Sequence, residues 1–221
     1  MHDQIAYVVQ TDPRFKASLP HLTRFPDAAV MARVNQDLSK ELNKARLWAA
    51  ECLEDAQAVR RKGDWNQMMD LTLLTRDLLS IVRRSEYYCG GAYPDTSAEP
   101  LIYNLRTGAP FDLRDLLRNA GAEGVAKEGT IPQDSAYWPL ADLYFKHAKL
   151  SEECKEMASR EIYRAQGFTM RFYFTAAGLV LFPELAHAMR ACGEEVTVSY
   201  KELRPLVKTD GPFYTLIEQS K

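Results

Sequence analysis

Between residues 28 and 62 apolar side chains return every three or four positions: Val30, Val34, Leu38, Leu42, Ala45, Ala49 and Cys52. That period is helical and predicts one long amphipathic helix, with a kink or break as the alternative for a span of this length. Asp27 offers an N-cap carboxylate, and Arg60, Arg61 and Lys62 ahead of Gly63 form a stop signal. Elsewhere the period is two. IAYVVQ (5–10) predicts a strand, followed by a loop carrying Pro and Phe. MDLTLLTRDLLSIVRRSEYYC (69–89) alternates at Leu71 and Leu73, then at Leu79 and Ile81, and predicts two short strands or a hairpin.

GGAYP (90–94) breaks that alternation, and PLIYNL (100–105) resumes it. RTGAP (106–110) is a turn, and Asp112 can cap a short helix through Leu117. FTMRFYFT (168–175), a turn at 176–178 and LVLF (179–182) predict a second hairpin. EVTVSY (195–200) is a further strand, and KELRPLV a short closing helix. Helical patterns fill 135–149 and 152–165, the second capped by Ser151, opened by Glu152 and Glu153 and ended by Gly167.

Helices and strands are segregated rather than alternating, so the fold class is α+β: an antiparallel sheet with a long helix and further helices packed on it. The strands at 69–89, 100–105, 168–182 and 195–200 are expected in one sheet. We expect a single domain over 1–221, or two subdomains, 1–117 and 135–221, joined by a loop at 118–134 rich in Gly and small residues.

Composition narrows the function. The 221 residues are 46% hydrophobic and 26% charged with a net charge of −2, ordinary for a globular chain with a real core. Basic and acidic residues are mixed, so there is no nucleic-acid footprint. No apolar run reaches the length of a membrane span. The start, MHDQIAYVVQ, lacks a basic region followed by an apolar stretch, so the expectation is either a cytoplasmic protein or a mature exported chain with an added Met1. The four cysteines, Cys52, Cys89, Cys154 and Cys192, form no CxxC pair, which argues against zinc. Two long-range disulfides fit the count; four buried thiols fit it as well.

The order LSIVRRSEYYCGGAYPDTSAEPLIYNLRTGAPFDLRDLL (79–117) resembles the extracytoplasmic domain of the RsiV anti-sigma factor, a domain that also accompanies the deacetylase domain of PdaC-type cell-wall enzymes. Ser80, Tyr88, Gly90, Gly91, Ala92, Thr107, Gly108 and Leu113–Leu117 match the family order. GFTMRFYFTAAGLVLFPELAHAM followed by VTVSYKELRPLV is similar to its C-terminal hairpin, Pro-containing loop, strand and short helix, so the likeness spans residues 66–207. Two places depart. The family's His-Gly after GGA is Tyr93-Pro94, and its Tyr-containing loop is FPELAHAMRACG. The resemblance implies a periplasmic or secreted location and, for some members, recognition of a lysozyme-type protein or of cell-wall polymer such as peptidoglycan. It brings neither a deacetylase domain nor a sigma-factor-binding segment, so no activity is carried over.

Candidate chemistry is sparse. GGAYP fits no phosphate-loop pattern, and Gly90 and Gly91 read as a structural turn with positive φ. Tyr87, Tyr88 and Tyr93, with Asp95, are candidate ligand-binding residues, as a shelf for sugar rings; alternate packing within a β segment explains the same pattern. His187, three residues after Glu184, is a further candidate, without a third ligand for a metal. No catalytic residue, metal or cofactor is assigned. The reading is a non-enzymatic envelope binding or sensing module. The alternative is an enzyme on cell-wall glycan, with Tyr93, Asp95, Glu184 and His187 near a cleft. If the cysteines are oxidised, we expect Cys52–Cys89 and Cys154–Cys192, each joining a helix to a loop or strand end; the two crossed pairings and four free thiols are the alternatives.

Overall fold

Asp27 begins the longest element. In the computed structural model, which describes residues 5–15, 17–118, 129–131, 137–166 and 168–218, its carboxylate accepts from the Ala29 and Val30 amides at 2.8 and 3.0 Å. Helix α1 then runs from Ala28 to Ala58 without a break. It ends about a turn before the predicted stop at Gly63. Arg60 takes the left-handed conformation at φ 57, and the Arg61 and Arg60 amides reach back to Ala56 and Gln57. This is a Schellman ending with arginine where glycine is usual.

The chain divides into two compact units, residues 1–109 and 110–221. In the first, strands β1 (Ala6–Asp12) and β2 (Ala17–Arg24) form a hairpin. β2 occupies the stretch expected to be a loop. Its Leu19 and Leu22 are buried with the α1 stripe, and Asn35 of α1 clamps both the amide and the carbonyl of Leu22 at 2.8 Å. Pro20, the reason for expecting a loop, is tolerated because this sheet has only two strands. Strands β3 (Asp64–Leu74), β4 (Leu78–Tyr88) and β5 (Asp95–Asn104) form an antiparallel meander, with a bulge at Thr72. Val34, Leu38 and Leu42 of α1 share one core with Leu79, Ile81 and Leu101. Each such burial contributes about 1.5–3 kcal/mol, against a few tenths from helix propensity, so the stripe decides where α1 lies. A two-residue strand, β6 (Ala109–Pro110), closes this stretch of chain.

In the second unit, β7 (Thr130–Ile131), β8 (Thr169–Phe174), β9 (Gly178–Glu184) and β10 (Val196–Ser199) form a separate antiparallel sheet in the order β10-β9-β8-β7. Thr175 Oγ1 accepts from the Ala177 and Gly178 amides and shapes the β8–β9 turn. Gly178 passes so close to β10 that a Cβ would stand 2.1 Å from the Val198 carbonyl oxygen, which no side chain tolerates. Asp112 caps a single 3-10 turn, Leu113–Asp115. Helix α2 spans Trp138–His147. The helix predicted over 152–165 is two, α3 (Glu152–Ala158) and α4 (Arg160–Gln166), because Ser159 is extended and its hydroxyl accepts from Ile162. Short helices α5 (Tyr200–Leu203) and α6 (Tyr214–Glu218) follow. Gly167 and most of the 118–134 stretch lie outside the described residues.

The fold is α+β with antiparallel sheets and one long helix, but the expected single sheet is corrected, among the described residues, to one hairpin and two four-stranded sheets. Alternation announces a strand without naming its partner. Here each strand pairs with the strand before or after it in chain order, and the sheets separate. Both cystines take the expected pairing: Cys52–Cys89, Cα atoms 4.6 Å apart, and Cys154–Cys192, 5.2 Å apart.

Candidate functional site

The register of the meander fixes which side chains stand abreast on the face beneath α1. Trp65, Tyr87 and Asp95 form one row, Gln67, Ser85 and Ser97 the next, and Met69, Arg83 and Glu99 the third. Beyond them the same face turns apolar, at Leu71, Ile81 and Leu101 and then at Leu79 and Tyr103. One strip of sheet is therefore greasy at one end and polar at the other, and α1 runs over both.

Arg83 is the centre of the polar end. It is only 3% exposed. Its guanidinium pairs with Glu99 across the sheet, and with Glu41 of α1 at 3.4 Å, and donates to the Glu41 carbonyl at 3.2 Å. A charge at this depth is tolerated only when paired, and here two carboxylates and a carbonyl surround it. The Trp48 ring lies over the same guanidinium, 5.6 Å from its carbon to the ring centroid. Trp48 is nevertheless 46% exposed. The arginine thus supports an aromatic ring that remains open to water.

Around this centre the side chains are held. Tyr87 stacks on Trp65 with centroids 5.2 Å apart, and its hydroxyl donates to Asp95 at 3.3 Å. The Cys52–Cys89 cystine packs against the same tryptophan. Gln67 is 2% exposed, and neither end of its amide has a hydrogen-bond partner among the described residues. At the apolar end Tyr103 donates to Asp37 at 3.0 Å, and burial together with that carboxylate pushes the phenol far up, so it stays protonated.

The three tyrosines of the sequence reading do not form one shelf. Tyr87 faces α1, whereas Tyr88, one residue on, faces the opposite side. The Tyr88 hydroxyl accepts from Arg61 at 2.6 Å and donates to the Gly91 carbonyl at 3.0 Å, which ties the turn to the end of α1. Tyr93 is 74% exposed in that turn. Gly90 has φ +90, and a Cβ there would lie 2.6 Å from Val59 Cγ2; Gly91 has open space around it and is not in the left-handed region. Glu184 and His187 belong to the second unit. Glu184 ends β9 and pairs with Arg171 at 2.7 Å, and the exposed His187 opens a 3-10 helix that runs to the buried Cys192. Tyr93 and Asp95 belong to the first.

Sequence reasoning missed Trp48, Arg83, Glu41 and Glu99. The signal available was charge at positions where the helical or alternating pattern asks for an apolar residue. It missed a second constellation too. Glu202 receives Lys146 and His147 at 2.8 Å each and the Ser199 hydroxyl at 2.9 Å. Lys146 above all, then His147 and Ser199, hold its carboxyl down to about 2. Ser199 caps α5, its hydroxyl accepting from the Glu202 amide at 3.3 Å and donating to the Glu202 carboxylate, and the S-x-x-E spacing is readable in the sequence. Among the described residues no three His, Cys, Asp or Glu side chains gather as a metal set, and no helix is long and apolar enough to cross a membrane.

No protein-family model matches the chain, and no curated protein matches it. Two of the solved structures that share its fold are members of one family. One is a member of the DUF3298 family from Bacteroides fragilis, with TM-score 0.57 and 14% identity, over 98% of this chain and 96% of that one. The other is a DUF3298 family protein from Pseudomonas aeruginosa, with TM-score 0.52 and 15% identity, over 92% of this chain and 93% of that one.

Proposed function

We propose that this chain is a non-catalytic binding module of the cell envelope that recognises cell-wall glycan through the Trp48 face of its first unit. The observation that carries the reading is the half-exposed Trp48 ring backed by the buried, doubly paired Arg83. A ring fixed on one side and open on the other suits the apolar face of a pyranose, at little entropic cost on binding. Glu99, Ser97, Asp95 and the Tyr87 hydroxyl lie along the same strip, as partners for sugar hydroxyls. The two cystines favour an exported, periplasmic or secreted protein, because such bonds persist in oxidising compartments. The resemblance to the RsiV and PdaC extracytoplasmic domain points the same way.

The test is co-sedimentation with purified peptidoglycan and titration with chitooligosaccharides. Trp48→Ala weakens binding about 30-fold, the loss of a typical aromatic anchor. Tyr93→Ala weakens it less, and Glu99→Gln confirms the polar side. Binding unchanged by Trp48→Ala removes the reading. Capture of a lysozyme-type protein without glycan binding transfers it to a protein partner, and turnover of peptidoglycan by the purified chain replaces it with an enzyme.

A further inference from the structure

We propose that the second unit carries a binding site for an anionic saccharide, in the cleft where α2, α3 and α4 come together. It lies in a different unit from the Trp48 face and rests on separate observations. The cleft has a volume of about 680 Å³ and is lined by Asp142, Phe145, Lys146, Lys149, Lys155 and Arg160 among others. That volume is in the range of sites for small ligands, on the order of 300–1,000 Å³.

Its charge is unbalanced. Four basic side chains, Lys146, Lys149, Lys155 and Arg160, face two acidic ones, Asp142 and Glu161. Asp142 is already overmatched, since Arg160 grips it bidentately at 2.5 and 2.6 Å and Arg164 adds contacts at 3.0 Å. Arg160, with help from Arg164, keeps that carboxyl below its ordinary range. The Lys149 ammonium has no ion-pair partner among the described residues. Among the described residues Lys155 pairs only with the surface residue Glu152 of its own helix, a contact worth little in water. Lys146 is taken up by Glu202, outside the lining, at 2.8 Å, and Arg160 by Asp142, so the cationic capacity that the cleft offers a ligand is that of Lys149 and Lys155.

The walls are stiff. Arg164 lies 4.7 Å over the Trp138 ring, and the backbone amide of Lys149 is held by the Glu194 carboxylate. Lys155 follows Cys154, which the second cystine anchors to Cys192. Phe145 supplies an apolar surface, braced by Tyr144, Tyr163 and Phe168 at centroid distances of 5.1, 5.9 and 6.4 Å. Ammonium groups call for an acid oxygen, and a braced ring calls for a C–H face. An acidic sugar offers both, whereas a bare inorganic anion would leave Phe145 uncovered and most of the volume unfilled.

Calorimetric titration of the intact, oxidised chain tests this with digalacturonic acid, glucose 6-phosphate, maltose and inorganic phosphate. The expected result is binding of at least one acidic sugar at low ionic strength, weakening as salt is added. The preference between the two acids separates a carboxylate source from a phosphate source. Lys149→Glu and Lys155→Glu each weaken binding about fivefold or more. Both positions are exposed enough to leave the fold intact, which circular dichroism checks, and Lys149→Ala gives a milder second variant. Trp48→Ala leaves this affinity unchanged, so the two sites fail or survive independently. The proposal is overturned if neither acid binds, if maltose or inorganic phosphate binds as tightly as the acidic sugars, or if the lysine variants leave affinity unaltered.

Discussion

The two units meet the same demand, a sheet covered by helix and held by one cystine, with opposite treatment of charge. In the first, a single 31-residue helix covers the sheet from its apolar rows to its polar ones, so Arg83 and Gln67 are buried beneath it, with Glu41 of the helix itself turned in toward them. In the second, aromatic side chains fill the interior. Phe111 meets Phe172, Phe174 and Phe213 edge-on at centroid distances of 4.9–6.3 Å, and the helices are too short to override the pattern. Their charged residues stay at the rims and line a cleft. The length of the covering helix thus decides whether charge goes under the structure or around it.

The strongest test of this contrast is removal of the cystines one unit at a time. The loops closed are 37 and 38 residues, so the chain-entropy model gives nearly the same loss for each, about 4 kcal/mol. Trp48 and Trp65 report on the first unit and Trp138 on the second. Denaturant unfolding of Cys52→Ser/Cys89→Ser should move the Trp48 and Trp65 signals, and Cys154→Ser/Cys192→Ser the Trp138 signal. If both signals move together in either variant, the units unfold as one body and the comparison breaks.

A smaller effect separates the two treatments of charge. Arg83→Ala leaves Glu99 without its cation and Glu41 with the helix-surface Lys44, and should cost the first unit about 3 kcal/mol, with a change in Trp48 fluorescence. Replacing all three residues by apolar ones of similar volume should recover much of that loss. A negligible cost for Arg83→Ala would show that the polar end is wetter than its burial indicates.

The smallest effect belongs to the second unit. Glu202 is held below its ordinary value of 4.5, at about 2, so its stabilising contacts are complete above pH 4.5 and are lost as pH falls from there toward 2. The Trp138 unfolding midpoint should decline across that window, and Glu202→Gln should flatten the decline. An identical acid profile in the variant would show that Glu202 is a surface residue of no consequence.

Periodicity, caps and punctuation determined much of this molecule. The stripe from Val30 to Cys52, the Asp27, Asp112 and Ser151 caps, the hairpins around Thr75–Asp77 and Thr175–Ala177 and the α+β class are all local, because backbone hydrogen bonding and side-chain period act over a few residues. The β2 strand escaped because Pro20 reads as a breaker until the strand count of its sheet is known, and the split at Ser159 because a serine competes for backbone amides without announcing it. Only the tertiary structure decided how strands divide between two sheets, and which charges meet. Arg83 finds Glu41 across 42 residues and Glu99 across 16, and the cleft of the second unit gathers side chains from three helices. Such meetings depend on how whole faces pack, and the free energy of packing belongs to the assembled surface rather than to any stretch of chain.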